Sequence, residues 1–200
     1  MPRPPRAFAA EQTLHLVQRG NNRSACFLGA TDYATYLSLL FTLTRETGCT
    51  VHAYVLMTNH VHFLLTPATA AAPSNLMKRL AQRYSAMFNR KYERTGTLWD
   101  GRFRAFPVTS DDYVIACYQY IELNPVRAGM VDRPERYRWS SHRANVGAVR
   151  TSLLTPHPSY QALAGSRRDA STAYRDLFRT PLDDALIADL RTGRAPGASP

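Results

Sequence analysis

Apolar and polar residues alternate over Thr13–Gln18 (TLHLVQ), the period of two expected of a strand with one buried face, and the chain then enters RGNNR, a turn-rich segment carrying Arg19, Asn21 and Arg23. From Thr31-Asp32, a possible helix cap, the period lengthens. Tyr33, Tyr36, Leu37, Leu40 and Leu43 share one stripe of a helix that runs to about Thr47 and stops at Gly48. Thr50–Pro67 (TVHAYVLMTNHVHFLLTP) is two apolar runs joined at Thr58-Asn59, a hairpin. Ser74 to about Tyr92 predicts an amphipathic helix. Leu76, Met77, Leu80, Tyr84, Met87 and Phe88 form its stripe, and Lys78, Arg79, Arg83 and Arg90 lie on other faces as candidate phosphate contacts. Residues 96–108 (GTLWDGRFRAFPV) predict a strand that interleaves Trp99, Phe103 and Phe106 with Arg102 and Arg104, the make-up of a single-strand binding platform and equally of an ordinary edge strand. A last helix starts at Ser110, has Asp111 and Asp112 at the positive end of its dipole, and is forced to stop where Pro125 disfavours helical geometry at Asn124.

The order strand, helix, strand, strand, helix, strand predicts an α+β fold: a ferredoxin-like antiparallel sheet with two crossover helices on one face and the other face left open by them, with the last helix, which carries Tyr120, expected near the face of His60 and His62. Residues 1–11, rich in Pro and Arg, read as a flexible lead-in, 12–148 as one domain, and 149–200 as a helical extension. That extension is expected to hold helices around 170–179 and 182–191 and to end in a disordered Gly/Pro/Ser stretch.

Within the hairpin, His60 and His62 fall on one face of a strand while Val61, Phe63 and Leu65 fill the other, so two imidazoles come within reach of one metal ion. A bare His-x-His is equally a pair of strand histidines on a half-exposed sheet. On the last helix Tyr113, Cys117, Tyr120 and Asn124 share a stripe, and Tyr118 points to nearly the opposite side. A phenol and an amide oxygen can thus face one point, although such stripes also serve as plain packing surfaces, and Asn124 could simply cap the next turn.

Charge changes the picture. Lys+Arg number 25 against 15 Asp+Glu, giving +10 and a pI near 9.9, which favours a polyanionic partner, nucleic acid before membrane. Lys78 and Lys91 are the only lysines, so the charge is almost all arginine, whose planar fork suits phosphates and bases. Cys26, Cys49 and Cys117 are odd in number and lack CxxC spacing, which argues against a disulfide framework or structural zinc and suits a cytoplasmic protein. No run of 18 apolar residues occurs, and no membrane partner is expected.

Five segments carry a resemblance: QRGNNR (18–23), TNHVHFLL (58–65), RYSAMFNRKYERTGTLWDGRF (83–103), YQYIELNPVRAGMV (118–131) and RWSSHRAN (138–145). In this order they resemble the single-tyrosine transposases of the HUH superfamily, and most closely the REP-associated tyrosine transposases. The resemblance covers about residues 12–148 and departs from the family at Thr58, where Pro is common, and at His142, where Tyr is frequent. It implies that His60, His62 and Asn124 hold Mg²⁺ or Mn²⁺ and that Tyr120 is the nucleophile. Tyr120 would attack single-stranded or hairpin repeat DNA to give a 5′-phosphotyrosine and a free 3′-hydroxyl. The DNA-contacting set expected with it is Arg19, Asn21, Arg23, Arg79, Arg83, Arg90, Trp99, Arg102, Arg104 and Arg127. A monomer or homodimer associated with the nucleoid fits the resemblance; the competing expectation is a domesticated protein that binds structured repeat DNA without cutting it.

Overall fold

The computed structural model describes residues 8–164 and 169–192. Four strands, β1 (Leu14–Arg19), β2 (Cys49–Met57), β3 (His60–Pro67) and β4 (Arg104–Pro107), form one antiparallel sheet in the order β2-β3-β1-β4. This is the expected ferredoxin-like arrangement, with α1 (Ala30–Thr47) and α2 (Ala72–Lys91) as the crossovers on one face. Leu14, Leu16, Val61, Phe63 and Leu65 point to that face and bury against Tyr36, Leu40, Leu76, Leu80, Tyr84 and Phe88. Gly48 ends α1 with φ 69°, the left-handed conformation that the helix stop requires.

The second face is not open. Ala53, Val55, Met57 and Leu64 make it apolar too, and a second core forms there against α3 (Asp111–Glu122), whose N-cap is Ser110. After α3 the chain breaks at Asn124-Pro125 into one further turn, α4 (Asn124–Arg127), then α5 (His142–Asn145), α6 (Pro158–Gln161), α7 (Ala170–Leu177) and α8 (Asp184–Thr192). These later elements wrap the outer side of α3. Tyr118, which does point away from the sheet, is buried there with its ring 5.7 Å from both Tyr160 and Tyr174, and its hydroxyl accepts from the His157 N–H at 3.1 Å. The expected disordered end and most of the lead-in lie outside the described residues.

The strand expected over 96–108 is shortened to four residues. Gly96 and Gly101 have φ of 82° and 64°, which the chain uses to turn rather than extend. Between them Trp99 turns into the first core, 5% exposed and within 6.1 Å of the Tyr36 and Tyr84 rings, so it offers no face to a base.

Glu122, the last residue of α3, ties the second core together. Its carboxylate is fully buried and accepts from Ser141 Oγ (2.5 Å), Asn145 Nδ2 (2.7 Å), His142 Nδ1 (2.8 Å) and Tyr174 Oη (2.9 Å). One side chain thereby joins α3, α5 and α7. Glu122→Ala strands these donors in an apolar interior and is expected to cost about 3–5 kcal/mol, read by chemical denaturation. A loss near zero would mean that the network does not hold the extension.

Candidate active site

The register of β1 on β3 builds the site. Arg19 lies opposite His60 and Val17 opposite His62, while Met57 of β2 flanks His60 on the other side. Partners across a sheet point to the same face, so Arg19, Val17, His60 and His62 all face α3. His15, two residues earlier on β1, joins them.

The three imidazoles form a chain. His60 and His62 have ring centroids 5.1 Å apart, and His62 stacks at 5.1 Å on His15 with Nδ1 2.8 Å from His15 Nε2. His60 Nδ1 lies 2.7 Å from Asn59 Oδ1, an oxygen that can only accept, so Nδ1 carries the proton and Nε2 keeps its lone pair. Asn59 is itself held by donating from Nδ2 to the Arg23 carbonyl at 2.9 Å, and the Asn59 carbonyl accepts from the Gly20 N–H at 2.7 Å. Gly20 is needed at that close approach, because a Cβ there would lie 2.3 Å from the Ser24 carbonyl oxygen.

Tyr120 reaches the same place from α3. Its ring is 4% exposed and stands edge-on, 5.8 Å from His15 and 5.9 Å from His62. Asn124, one helical turn on, donates from Nδ2 to the Tyr120 carbonyl at 2.9 Å, which leaves Oδ1 available as an acceptor or ligand. The Arg127 guanidinium lies 4.9 Å from the centre of the Tyr120 ring. Together these groups line a cleft of about 300 Å³ whose remaining wall includes Arg19, Arg102, Arg104, Asp100, Phe106 and Arg191.

Burial sets the protonation of the histidines. Loss of hydration lowers His15 to about 4 and, helped by the positive charge of Arg19, lowers His60 to about 4. Burial pushes His62 well below its ordinary value, and the neighbouring His15, His60, Arg19 and Arg127 push the same way. All three are therefore neutral at neutral pH, the form in which an imidazole nitrogen can bind a metal. Two neutral imidazoles and an amide oxygen lining one cleft are donors of the kind a divalent cation takes, fewer than its full coordination number.

The sequence-predicted residues divide accordingly. His60, His62, Tyr120, Asn124, Arg19, Arg102, Arg104 and Arg127 meet in the cleft. Asn21 and Arg23 sit in the 3-10 turn after β1 and are not among the cleft-lining residues; the Arg23 carbonyl braces the His60 turn through Asn59, and the Asn21 N–H donates to the Leu98 carbonyl at 2.9 Å. Arg79, Arg83 and Arg90 belong to α2 on the other face of the sheet, and Arg79 pairs there with Glu46 of α1. Trp99 is in the first core. His15, Asp100 and Arg191 were not anticipated. The alternation of TLHLVQ assigns His15 to the face opposite Leu14 and Leu16, so that residue was within reach of the pattern; Asp100 and Arg191 arrive through a loop and through the extension, which carry no periodic signal.

An antiparallel sheet with a tyrosine-bearing helix laid against paired histidines is thus the frame of the site, and comparison with known proteins gives its family. The family described as "Transposase IS200 like" matches residues 9–124, and the chain belongs to that family of DNA transposases. Among solved structures, the chain is similar to a REP-associated tyrosine transposase bound to a REP hairpin, with TM-score 0.57 and 17% identity over 78% of this chain and 99% of that one. It thus shares that protein's fold. A candidate transposase of Deinococcus radiodurans R1 is more distant, at TM-score 0.42 and 18% identity over 64% of this chain and 92% of that one. No curated protein matches the sequence. Among the described residues, no helix is long and apolar enough to cross a membrane.

The buried neutral histidines make a prediction for pH. Each has a folded pKa below its unfolded value near 6.5, so the unfolded chain binds more protons as pH falls through that range. Stability should therefore fall from pH 6.5 towards pH 4, with contributions from His15 and His60 and from His52, a further buried histidine on β2, each lowered to about 4 by loss of hydration. A melting temperature that is flat between pH 7 and 4.5 would contradict this.

Proposed function

We propose that the chain is a single-tyrosine HUH transposase that nicks and rejoins single-stranded or hairpin DNA of the REP type, with Tyr120 as nucleophile. The observation that carries this reading is the meeting of Tyr120 with His62 and His15 in one arginine-walled cleft, with Asn124 fastened to the carbonyl of Tyr120 itself. Arg19, Arg102, Arg104 and Arg127 hold the strand by its phosphates. The Tyr120 oxygen attacks phosphorus, the bond from phosphorus to the 3′ oxygen breaks, and the departing oxygen takes up a proton as a free 3′-hydroxyl. The downstream 5′-phosphate remains on Tyr120. A 3′-hydroxyl later attacks that phosphotyrosine and releases the phenol, so the bond energy is conserved without ATP.

His60 and His62, through their Nε2 atoms, and Asn124, through Oδ1, are the residues that would hold Mg²⁺ or Mn²⁺. When bound, such an ion neutralises the phosphate and orients it for in-line attack. With Nε2 of His62 given to the ion, its Nδ1 would carry the proton and donate to His15 Nε2, 2.8 Å away, a contact that would fix the ring as Asn59 fixes His60. The solved REP-associated transposase was captured on a REP hairpin, which supports DNA of that kind as the substrate here. The cytoplasm, where the chromosome lies, is the fitting compartment.

Chelation, or His60→Ala, should reduce cleavage by about 100-fold or more, because an ion that serves the transition state supplies several kcal/mol. Hairpin binding measured by fluorescence anisotropy should remain largely intact. Undiminished cutting in excess chelator would remove the metal from the mechanism, and hairpin binding without any cutting by wild type supplied with Mg²⁺ or Mn²⁺ would favour the domesticated alternative.

Salt tests the arginine wall. With four phosphate contacts, the logarithm of affinity should fall against the logarithm of salt with a slope of roughly −3 to −4. A slope near zero would contradict the assignment.

A further inference from the structure

His52 belongs to the same hairpin as His60 and His62 but does not line the cleft. It is the extra residue of a β-bulge: β2 pairs Val51 with Leu65 and Ala53 with Leu64, so His52 has no partner of its own on β3. Freed from the ladder, its ring reaches Thr66, near the end of β3 remote from His60. There His52, Thr66, Thr13 and His157 form an unbroken run of hydrogen bonds. His52 Nε2 lies 2.9 Å from Thr66 Oγ1, Thr66 Oγ1 lies 2.9 Å from Thr13 Oγ1, and Thr13 Oγ1 lies 3.0 Å from His157 Nε2. Both His52 and Thr13 are buried.

The two ends of the run fix its direction. His52 Nδ1 lies 2.7 Å from the Thr155 carbonyl, which can only accept, so Nδ1 carries the proton and Nε2 accepts from the Thr66 hydroxyl. Thr66 has one proton to give, so it accepts from Thr13, and Thr13 accepts from His157 Nε2–H. His157 Nδ1 accepts from the Ser159 N–H at 3.1 Å, which demands the same tautomer from the other end. Every donor of the run thus has an acceptor when both histidines are neutral. A second proton on His52 sets an N–H against the Thr66 hydroxyl, and turning Thr66 and Thr13 round only moves the conflict to His157. A second proton on His157 faces the Ser159 N–H directly. The surroundings do little to offset this. Among the described residues, His52 also meets the His157 ring edge-on at 4.9 Å and Asn145 of α5, whose Nδ2 donates to the His52 carbonyl at 3.3 Å. His157 feels Asp111 of α3, its backbone N–H donates to the Tyr118 hydroxyl, and Glu11 lines the same shallow surface. Asp111 favours a proton on His157, but loss of hydration outweighs it and lowers His157; burial lowers His52 to about 4.

The run lies where the start of the extension meets the sheet. Leu154 bridges to Val51, the Thr155 N–H donates to the Val51 carbonyl at 2.9 Å, and Ser159 Oγ donates to Asp111 Oδ1 at 2.5 Å. One set of hydrogen bonds thereby joins this segment to β1, β2, β3 and α3. We propose that His52 and His157 form an acid-sensitive clasp for the extension: the neutral pair closes the run and seats residues 151–164 on the sheet, and protonation of either ring breaks the run and releases that segment. The clasp is at the end of β1 opposite the cleft and does not depend on the chemistry proposed there. With a seated pKa below the free value near 6.5, each histidine holds the clasp fully above about pH 6.5 and loses it as pH falls. For His52 the opening should gain about tenfold at roughly one pH unit below 6.5.

Hydrogen exchange of the full-length chain, read by mass spectrometry at about pH 7 and about pH 5.5 and corrected for intrinsic exchange, tests the clasp. Opening of 151–164 should rise by about tenfold or more at the lower pH, beyond any change in β1 and β3. The double variant His52→Gln, His157→Asn has no proton to take up at either position and should lose that difference. Nitrogen-15 spectra of the wild-type imidazoles at neutral pH should show His52 protonated at Nδ1 and His157 at Nε2, which keeps the test decisive if the double variant fails to fold. The opposite tautomer at either ring would overturn the clasp. So would exchange in 151–164 that follows β1 and β3 at both pH values, or a pH response that survives in the double variant.

Discussion

The antiparallel pairing of β1 with β3 is the constraint on which the site depends. Side chains alternate across a strand, so the register that sets Arg19 opposite His60 and Val17 opposite His62 decides that imidazoles, arginine and tyrosine share a face. A slip of one residue would send the histidines into the aromatic core beside Tyr36 and Tyr84. The register is secured from the other side, because Leu14, Leu16, Val61, Phe63 and Leu65 are buried against α1 and α2 and cannot be moved to the α3 face without exposing that core. The Gly20–Asn59 backbone bond then closes the end of the pairing and fixes the turn that orients His60.

The same burial has two electrostatic effects. It keeps His15, His60 and His62 neutral in a protein of net charge +10, while the arginines stay charged around the cleft. On the function proposed, this pairing of neutral nitrogen donors with fixed positive charge would suit a phosphodiester, the arginines attracting the backbone and His60 and His62 keeping lone pairs for a cation. The extension contributes to this by covering the outer face of α3, so that Tyr120 is held from behind through Tyr118, Glu122 and Tyr174.

Much of this was legible in the sequence, for reasons that differ by element. The six elements of the ferredoxin-like order follow from plain periodicity, and the residues that line the cleft on β3, α3 and α4 follow from spacing joined to the family resemblance. What escaped depends on tertiary choice. Apolar residues on both faces of β2 and β3 mean a covered sheet, yet a strand read for alternation alone suggests an open face. Trp99 looks like a stacking platform beside Arg102, but two turning glycines send it inward. Arg79 looks like a phosphate contact until Glu46, far away in sequence, arrives beside it. His15 was readable from parity and lacked only a partner to make it conspicuous.

Tyr120 as nucleophile is tested most directly on a denaturing gel, using single-stranded hairpin DNA labelled in turn at each end and incubated with Mn²⁺ or Mg²⁺. A protein-linked band carrying only the 3′-end label should form with wild type and with Tyr118→Phe. The latter leaves the His157 N–H without its acceptor and should cost roughly 1 kcal/mol of stability, but it does not touch the cleft. Tyr120→Phe keeps the ring between His15 and His62, removes the attacking oxygen, and should form no adduct while still binding the hairpin. An adduct that persists in Tyr120→Phe, or one that carries the 5′-end label, would contradict the mechanism.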